Sequence, residues 1–308
     1  MNTILPYLVV LTSPVIAYWV TKRWIYISSK NDNLVSKDLH KPYEAYAARI
    51  GGLPITIESI ILMAIIQILF GHWDTYLLVS SAFYSMIGFM DDVFGLKNLE
   101  KIVLSGIPFL FMASELSPFT PFDLMPFPLH LAAITLYGIY VTNAFNTLAG
   151  FNGLEAGLSS VTSLTLSIML LLTGKDVGSL QFLLLALVSL AFLSLNWYPA
   201  KAFPGNVMTF FLGGTISFIA AENNLYWPLI VLTIPHGVDF FLKLISWGKT
   251  AEKIPTRVRE DGTLLPPPNK SLAWLLIKKG INKERKLVTT ILIIEVVLSA
   301  FTLIYFPS

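Results

Sequence analysis

The sequence predicts an all-α polytopic membrane protein of about ten transmembrane helices, on three observations. Apolar runs near spanning length recur from one end of the 308 residues to the other. Charged residues make up 13% of the chain and hydrophobic ones 55%, with mean hydropathy +0.68; a soluble domain carries about 25% charged residues. The basic residues are also distributed unevenly between successive loops. No stretch of useful length is left for a soluble domain, so residues 1–308 are expected to form one integral membrane domain.

In order, spans are predicted at 3–21, 53–70, 75–90, 101–114, 128–142, 153–173, 180–196, 207–221, 225–246 and 287–306. The first lacks a basic start and a small-residue cleavage site, and reads as a retained helix rather than a signal peptide. The loops after spans one, three, seven and nine, with the span edges that border them, hold all of the 21 Lys and Arg except Lys175. The positive-inside rule then puts these loops in the cytoplasm and both termini outside. The chain has no cysteine, which excludes disulfides, thiol catalysis and cysteine-ligated metal. Nothing points to a nucleic-acid partner.

The most informative stretch is Asn143 to Gly157, NAFNTLAGFNGLEAG, between the fifth and sixth spans. Asparagines and glycines at that depth are costly unless the backbone lines a polar cavity. The spacing of Gly150, Gly153 and Gly157 allows chain and ligand to approach closely. Asn152 followed by Glu155 also fits a helix-capping box, but capping leaves Asn143 and Asn146 unexplained. The stretch carries no Lys or Arg, which suits a cytoplasmic loop folded into a site.

Other candidates sit at cytoplasmic span ends. Asp91 and Asp92 close the third span, where acids have the wrong sign for a helix C-terminus. A compensating cation is expected, and Lys101 meets them if the chain turns back at Gly95. In the first cytoplasmic loop, KDLHKP contains Lys41, and RIGGLP places Arg49 beside two glycines, where a guanidinium can grip a phosphate. Basic residues here also serve simply as an orientation signal. FPGN offers Phe203 for stacking, and Asn206 either as a cap for span eight or as an oxygen donor to a metal. His236 and Asp239 share a face of span nine; Asp239 is a site candidate, and His236 reads equally well as a core histidine. The last cytoplasmic segment, about 247–286, contains a hairpin signal at Asp261-Gly262. Arg257 and Arg259 lie on one face of its first strand.

Taken in order, DLHKP, GFMDDV, NAFNTLAGFNGLEAG and FPGN resemble the polyprenyl-phosphate N-acetylhexosamine-1-phosphate transferase superfamily of glycosyltransferase family 4 type. Within it, the chain is most similar to the eukaryotic and archaeal UDP-GlcNAc–dolichyl-phosphate GlcNAc-1-phosphotransferases. That resemblance implies ten helices, a cytosolic site dependent on magnesium (or manganese), UDP-GlcNAc and dolichyl phosphate as substrates, and a homodimer as one assembly. It casts Asp91, Asp92 and Lys101 as catalytic and Asn146 as a metal ligand. Asn143, Gly150, Asn152, Phe203, Lys41, Arg49 and Arg257 become substrate-binding, with Phe203 stacked on uracil.

Two departures stand out. Bacterial relatives usually carry an aspartate where Ala149 stands, and most of the family has a metal-binding aspartate at Asn206. An amide oxygen is a poorer partner for a hard cation than a carboxylate, so Asp91, Asp92 or Asp239 is expected to compensate. The competing readings are the same chemistry with undecaprenyl phosphate or another UDP-sugar, a lipid or nucleotide-sugar transporter, and an inactive binding paralogue. Candidate polar residues cluster at cytoplasmic ends rather than at mid-membrane, and no internal repeat is evident, which favours an enzyme over a transporter.

Overall fold

The computed structural model describes residues 4–112, 126–246 and 256–306. The predicted span 101–114 ends outside those residues, and the predicted segment 247–286 begins outside them. Twelve helices are described: α1 (Ile4–Ser28), α2 (Leu53–Phe70), α3 (Thr75–Phe94), α4 (Asn98–Met112), α5 (Phe127–Thr147), α6 (Leu154–Leu172), α7 (Asp176–Asn196), α8 (Gly205–Glu222), α9 (Tyr226–Leu232), α10 (Ile234–Ile245), α11 (Leu272–Lys278) and α12 (Glu284–Tyr305). A helix or helix pair stands at each predicted span. Six, namely α1, α2, α3, α6, α7 and α12, are long and apolar enough to cross a membrane, and α9 with α10 makes a seventh if the bent pair is one span. At the other predicted spans, α4, α5 and α8 do not meet that measure among the described residues.

The ninth span, predicted as continuous, is broken at Thr233, with a bend of 66° between α9 and α10. Pro235 opens α10 and cannot donate to the preceding turn. The Thr233 carbonyl accepts the Gly237 N–H at 2.8 Å and also Tyr140 Oη at 3.3 Å, which ties the break to α5.

Helix α8 is the axis of the bundle, with every residue from Val207 to Ala221 buried. It packs against α3 and α5. At Gly88 of α3, a Cβ would lie 2.2 Å from the Asn206 carbonyl oxygen, so only glycine lets α3 approach the start of α8.

The segments between the long helices have more structure than hydropathy reveals. Strands β1 (Val35–Lys37) and β2 (Tyr46–Ala48) pair antiparallel, with Ser36 opposite Ala47, and Ala48 forms a parallel bridge with Ala202. The first loop is thereby stitched to the Phe203 turn: Gly51 N–H reaches the Phe203 carbonyl at 2.8 Å. The predicted hairpin is present as a Val258–Leu264 antiparallel bridge around the Asp261-Gly262 turn. Its Leu264 joins Leu148, Phe151, Leu154, Leu272 and Leu287 in a second apolar cluster.

Candidate active site

The C-terminal ends of α3 and α5 and the starts of α6 and α8 converge on a cavity of about 210 Å³. Asp92, Gly150, Asn152, Glu155, Phe203 and Asn206 are among its lining residues. These come from three of the sequence motifs, separated by up to 114 positions.

The acidic pair is divided between two partners. Gly95 adopts φ +72° and ends α3, turning the chain into α4. Asp91 then meets Lys101 Nζ at 3.1 Å and accepts the Leu96 N–H at 2.9 Å, with both charged side chains largely buried. Asp92 points to the start of α8, where its two oxygens accept the Asn206 N–H at 2.9 Å and the Val207 N–H at 3.0 Å. Two charges therefore compensate the acids: an ammonium for one, the positive end of a helix for the other. Asn206 does not cap α8 itself, since Asp92 takes that role across the helix interface. Gly205, at φ +72°, leaves room for it; a Cβ there would sit 2.7 Å from Asp92 Oδ2.

The glycine loop is held by side chains from three helices. Gly150 N–H donates to Glu155 Oε1 at 2.6 Å, Asn152 N–H to Glu284 Oε1 at 2.9 Å, and Gly153 N–H to Asn196 Oδ1 at 3.0 Å. No capping box forms: Gly153, at φ +85°, is the N-cap of α6, and the Asn152 side chain donates to Asp38 Oδ2 at 2.7 Å. A glycine-rich loop that binds phosphate offers its N–H groups to the ligand. Here those of Gly150, Asn152 and Gly153 are taken by protein oxygens, so this wall suits a neutral ligand part rather than a pyrophosphate. Sequence reasoning missed Asn196, Asp38 and Glu284 as parts of the site. Asn196 carried a signal, as an amide at a span end, and so did Glu284, an acid among the basic residues before the last span.

Asn146 and Asn206 face each other, with Nδ2 to Oδ1 at 3.4 Å. Asn143, one turn back on α5, donates to Ser105 Oγ at 2.7 Å and to the Ile139 carbonyl at 2.8 Å, and is buried. Among the described residues, no cluster of three His, Asp or Glu is placed to hold a metal. The side-chain oxygens nearest this point are hard: the Asn206 amide at the cavity, the Asn146 amide against it and the Asp92 carboxylate behind them. Magnesium is usually held by one or two carboxylates together with water and substrate phosphates; here both Asp92 oxygens are engaged by the Asn206 and Val207 N–H groups, which leaves the two amide oxygens as the side-chain donors. Turning the Asn146 amide, whose two ends have the same shape, brings both amide oxygens to one side.

Other predicted residues lie around this centre. The Lys41 side chain is fully buried, bound to Glu284 at 2.6 Å and to Asp38 at 2.9 Å. Arg49 reaches the Asn33 and Asp92 carbonyls at 3.3 and 3.4 Å, beside the end of α3. Arg257 is exposed on the hairpin and does not line the cavity. Asp239 does not line it either: it accepts the Leu272 N–H at 2.9 Å and pairs with Lys243 at 2.7 Å, and Lys243 also contacts the Thr147 carbonyl. His236 is a buried core histidine stacked on Phe145 at 4.4 Å. His40 stacks on Phe151 at 4.6 Å, and burial pushes its imidazole down to about 4.

A protein of Methanocaldococcus jannaschii, named as a glycosyltransferase, is 31% identical over 263 residues, covering 84% of this chain and 83% of that protein. The sequence model of glycosyl transferase family 4 matches residues 75–223. The chain belongs to glycosyl transferase family 4. A Saccharolobus solfataricus protein is 29% identical over 308 residues, 93% of this chain and 92% of its own, and is named as a UDP-N-acetylglucosamine–dolichyl-phosphate N-acetylglucosaminephosphotransferase. A Bacillus subtilis protein, 28% identical over 214 residues and covering 63% of this chain and 59% of its own, is named as an undecaprenyl-phosphate N-acetylglucosaminyl 1-phosphate transferase. The family 4 match runs from α3 to the end of α8, so it takes in the acidic pair, the glycine loop and the Phe203 turn. Lys41 and Glu284 fall outside it.

Proposed function

We propose that this family 4 membrane protein transfers N-acetylglucosamine 1-phosphate from UDP-N-acetylglucosamine to dolichyl phosphate, releasing UMP. The observation that carries this reading is the cavity itself, where Asn206, with Asn146 against its side chain, and the Asp92-capped start of α8 face Phe203 and a glycine loop with its N–H groups turned away. One side of the cavity suits phosphates and the other a nucleoside. The names of the archaeal relatives support the substrate pair.

In this reading an oxygen of the lipid phosphate attacks the β-phosphorus of the donor. The bond from that phosphorus to the oxygen bridging the two phosphates breaks, and UMP leaves with the bridging oxygen. A phosphate monoester has a second pKa of about 6, so the nucleophile is already largely deprotonated at neutral pH. Asp91 and Asp92 then need not remove a proton; Asp92 orients Asn206, and Asp91 orients Lys101 toward the pyrophosphate. Phe203 stacks on the base. Arg257, on the exposed hairpin, reaches the sugar once the donor is seated. Asn146 and Asn206 would hold magnesium, which manganese can replace, and the ion offsets the charge of two anions brought together.

Topology completes the proposal. Ten crossings with both termini outside place the site on the cytoplasmic face, where a soluble nucleotide sugar meets a lipid headgroup; the basic loops support that orientation. A homodimer is the assembly expected in detergent.

Purified protein supplied with radiolabelled UDP-N-acetylglucosamine and dolichyl phosphate tests the reading. Magnesium-dependent, one-to-one formation of UMP and lipid-linked sugar is expected. Product with undecaprenyl phosphate alone moves the acceptor to the bacterial type, and no product with any prenyl phosphate or UDP-N-acetylhexosamine sinks the transferase reading.

A further inference from the structure

The last helix has no part in the chemistry above, yet its first residue reaches the cavity wall. Glu284 is 4% exposed and sits at the start of α12, 132 positions from Asn152. One of its oxygens accepts the Asn152 N–H at 2.9 Å; the other accepts Lys41 Nζ at 2.6 Å. Lys41 passes the contact to Asp38 at 2.9 Å, and Asp38 returns it to the Asn152 side chain at 2.7 Å. Glu284, Lys41, Asp38 and Asn152 thus close a ring of buried polar contacts joining three distant segments. Lys41 also lies 3.9 Å from the centre of the Tyr198 ring, and Arg285, the neighbour of Glu284, lies 5.0 Å from the same ring.

The ring fixes both ends of one residue. A carboxylate only accepts, so Asp38 and Glu284 can bind Asn152 only through its N–H groups. The Asn152 main chain and side chain are therefore both immobilised at the cavity wall, without Asn152 spending its amide oxygen. Removing Glu284 would leave a buried N–H and a buried ammonium without their partner, which loosens the wall more than a lost surface contact would.

We infer that Glu284 is a positioning residue, holding the Asn152 wall in the shape that receives the nucleoside end of the donor, and that it acts through donor affinity rather than turnover. This rests on the transferase reading, because that reading assigns the wall to the nucleoside. The reacting phosphates lie with Asp91, Lys101 and Asn146, none of which touches Glu284. A contact that is equally strong in ground and transition states alters KM and leaves kcat alone.

The test uses the full-length protein, with UMP as the calorimetric probe and steady-state turnover beside it. Glu284→Gln keeps an oxygen for the Asn152 N–H and gives up the charge; Glu284→Leu gives up both. The KM for UDP-N-acetylglucosamine and the Kd for UMP should rise about ten-fold in Glu284→Leu, with Glu284→Gln between it and the wild type. The dolichyl phosphate KM should not move, and kcat should stay within about two-fold. Where Glu284→Leu fails to fold, the triple variant Asp38→Asn, Lys41→Met and Glu284→Gln, which leaves no orphaned charge in the ring, should show the same donor-specific loss. Unchanged UMP affinity, or a fall in kcat with donor KM unmoved, overturns the inference. A wild type that binds UMP but turns over nothing, with binding weakened in Glu284→Gln, overturns the transferase reading and keeps this one. A wild type that binds no UMP overturns both.

Discussion

The Asp92 carboxylate holds the Asn206 main-chain N–H at 2.9 Å, and the Asn206 side chain in turn accepts Asn146 Nδ2 at 3.4 Å. An acid at the end of one helix thereby sets the position of an amide at the start of another. Asp92→Asn retains one acceptor and loses the charge that favours the α8 N-terminus. It should lower stability by about 1 kcal/mol, as for loss of an N-cap, and reduce turnover more than donor KM. Thermal unfolding in detergent and steady-state kinetics check the two effects.

Asn206→Asp restores the carboxylate that most of the family carries. It should lower the magnesium concentration for half-maximal activity several-fold, about ten-fold at most, since it adds one formal charge to a hard-oxygen site. Metal titration of turnover, paired with calorimetric binding of the ion, reads this directly. An unchanged titration would take Asn206 out of the ligand set.

Asn146→Ala should abolish transfer while leaving a folded protein, because Asn146 is half-buried beside Asn206 rather than in the core. The monodisperse elution and melting temperature of the variant separate lost chemistry from lost fold. Normal turnover would remove Asn146 from the metal site.

The buried Asp91–Lys101 pair should show strong non-additivity. Lys101→Met leaves Asp91 charged and unpaired, a loss of about 3–5 kcal/mol for a buried pair. Adding Asp91→Asn should recover most of that stability and none of the activity. A double-mutant cycle on melting temperature and turnover distinguishes the two.

His40 predicts a pH response. Its ordinary pKa of 6.5 is pushed down to about 4 by burial against Phe151. Between those values the unfolded chain takes up a proton that the folded chain refuses, so the contribution is intact above pH 6.5 and is lost as pH falls toward 4. His40→Phe, which keeps the ring, should flatten the decline in melting temperature between pH 6.5 and 4.5 relative to wild type.

Much of this architecture was legible because a membrane imposes long apolar runs, and a site inside it must interrupt them. Asn143, Asn146 and the glycines stood out for that reason, and Asp91 and Asp92 by their wrong sign for a helix end. What lay beyond reach was pairing at a distance. Asn152 beside Glu155 looked like a local cap, yet its partners, Asp38 and Glu284, are 114 and 132 residues away. Asp239 looked like a spare acid for a metal, but it anchors the start of α11. Hydropathy also hid β1 and β2, whose three residues each are too short to leave a period. The break at Thr233 carried a visible signal in Pro235, which a run of apolar residues on both sides masked.

The hairpin around Asp261-Gly262 is seated by Leu264 on the same apolar cluster as Leu148, Phe151 and Leu154, which flank the glycine loop. Its arginines Arg257 and Arg259 are exposed, whereas its inward leucine is shared with the floor of the glycine loop. A graft that swaps this hairpin between relatives would therefore succeed or fail on the volume of one leucine rather than on the charges the hairpin displays.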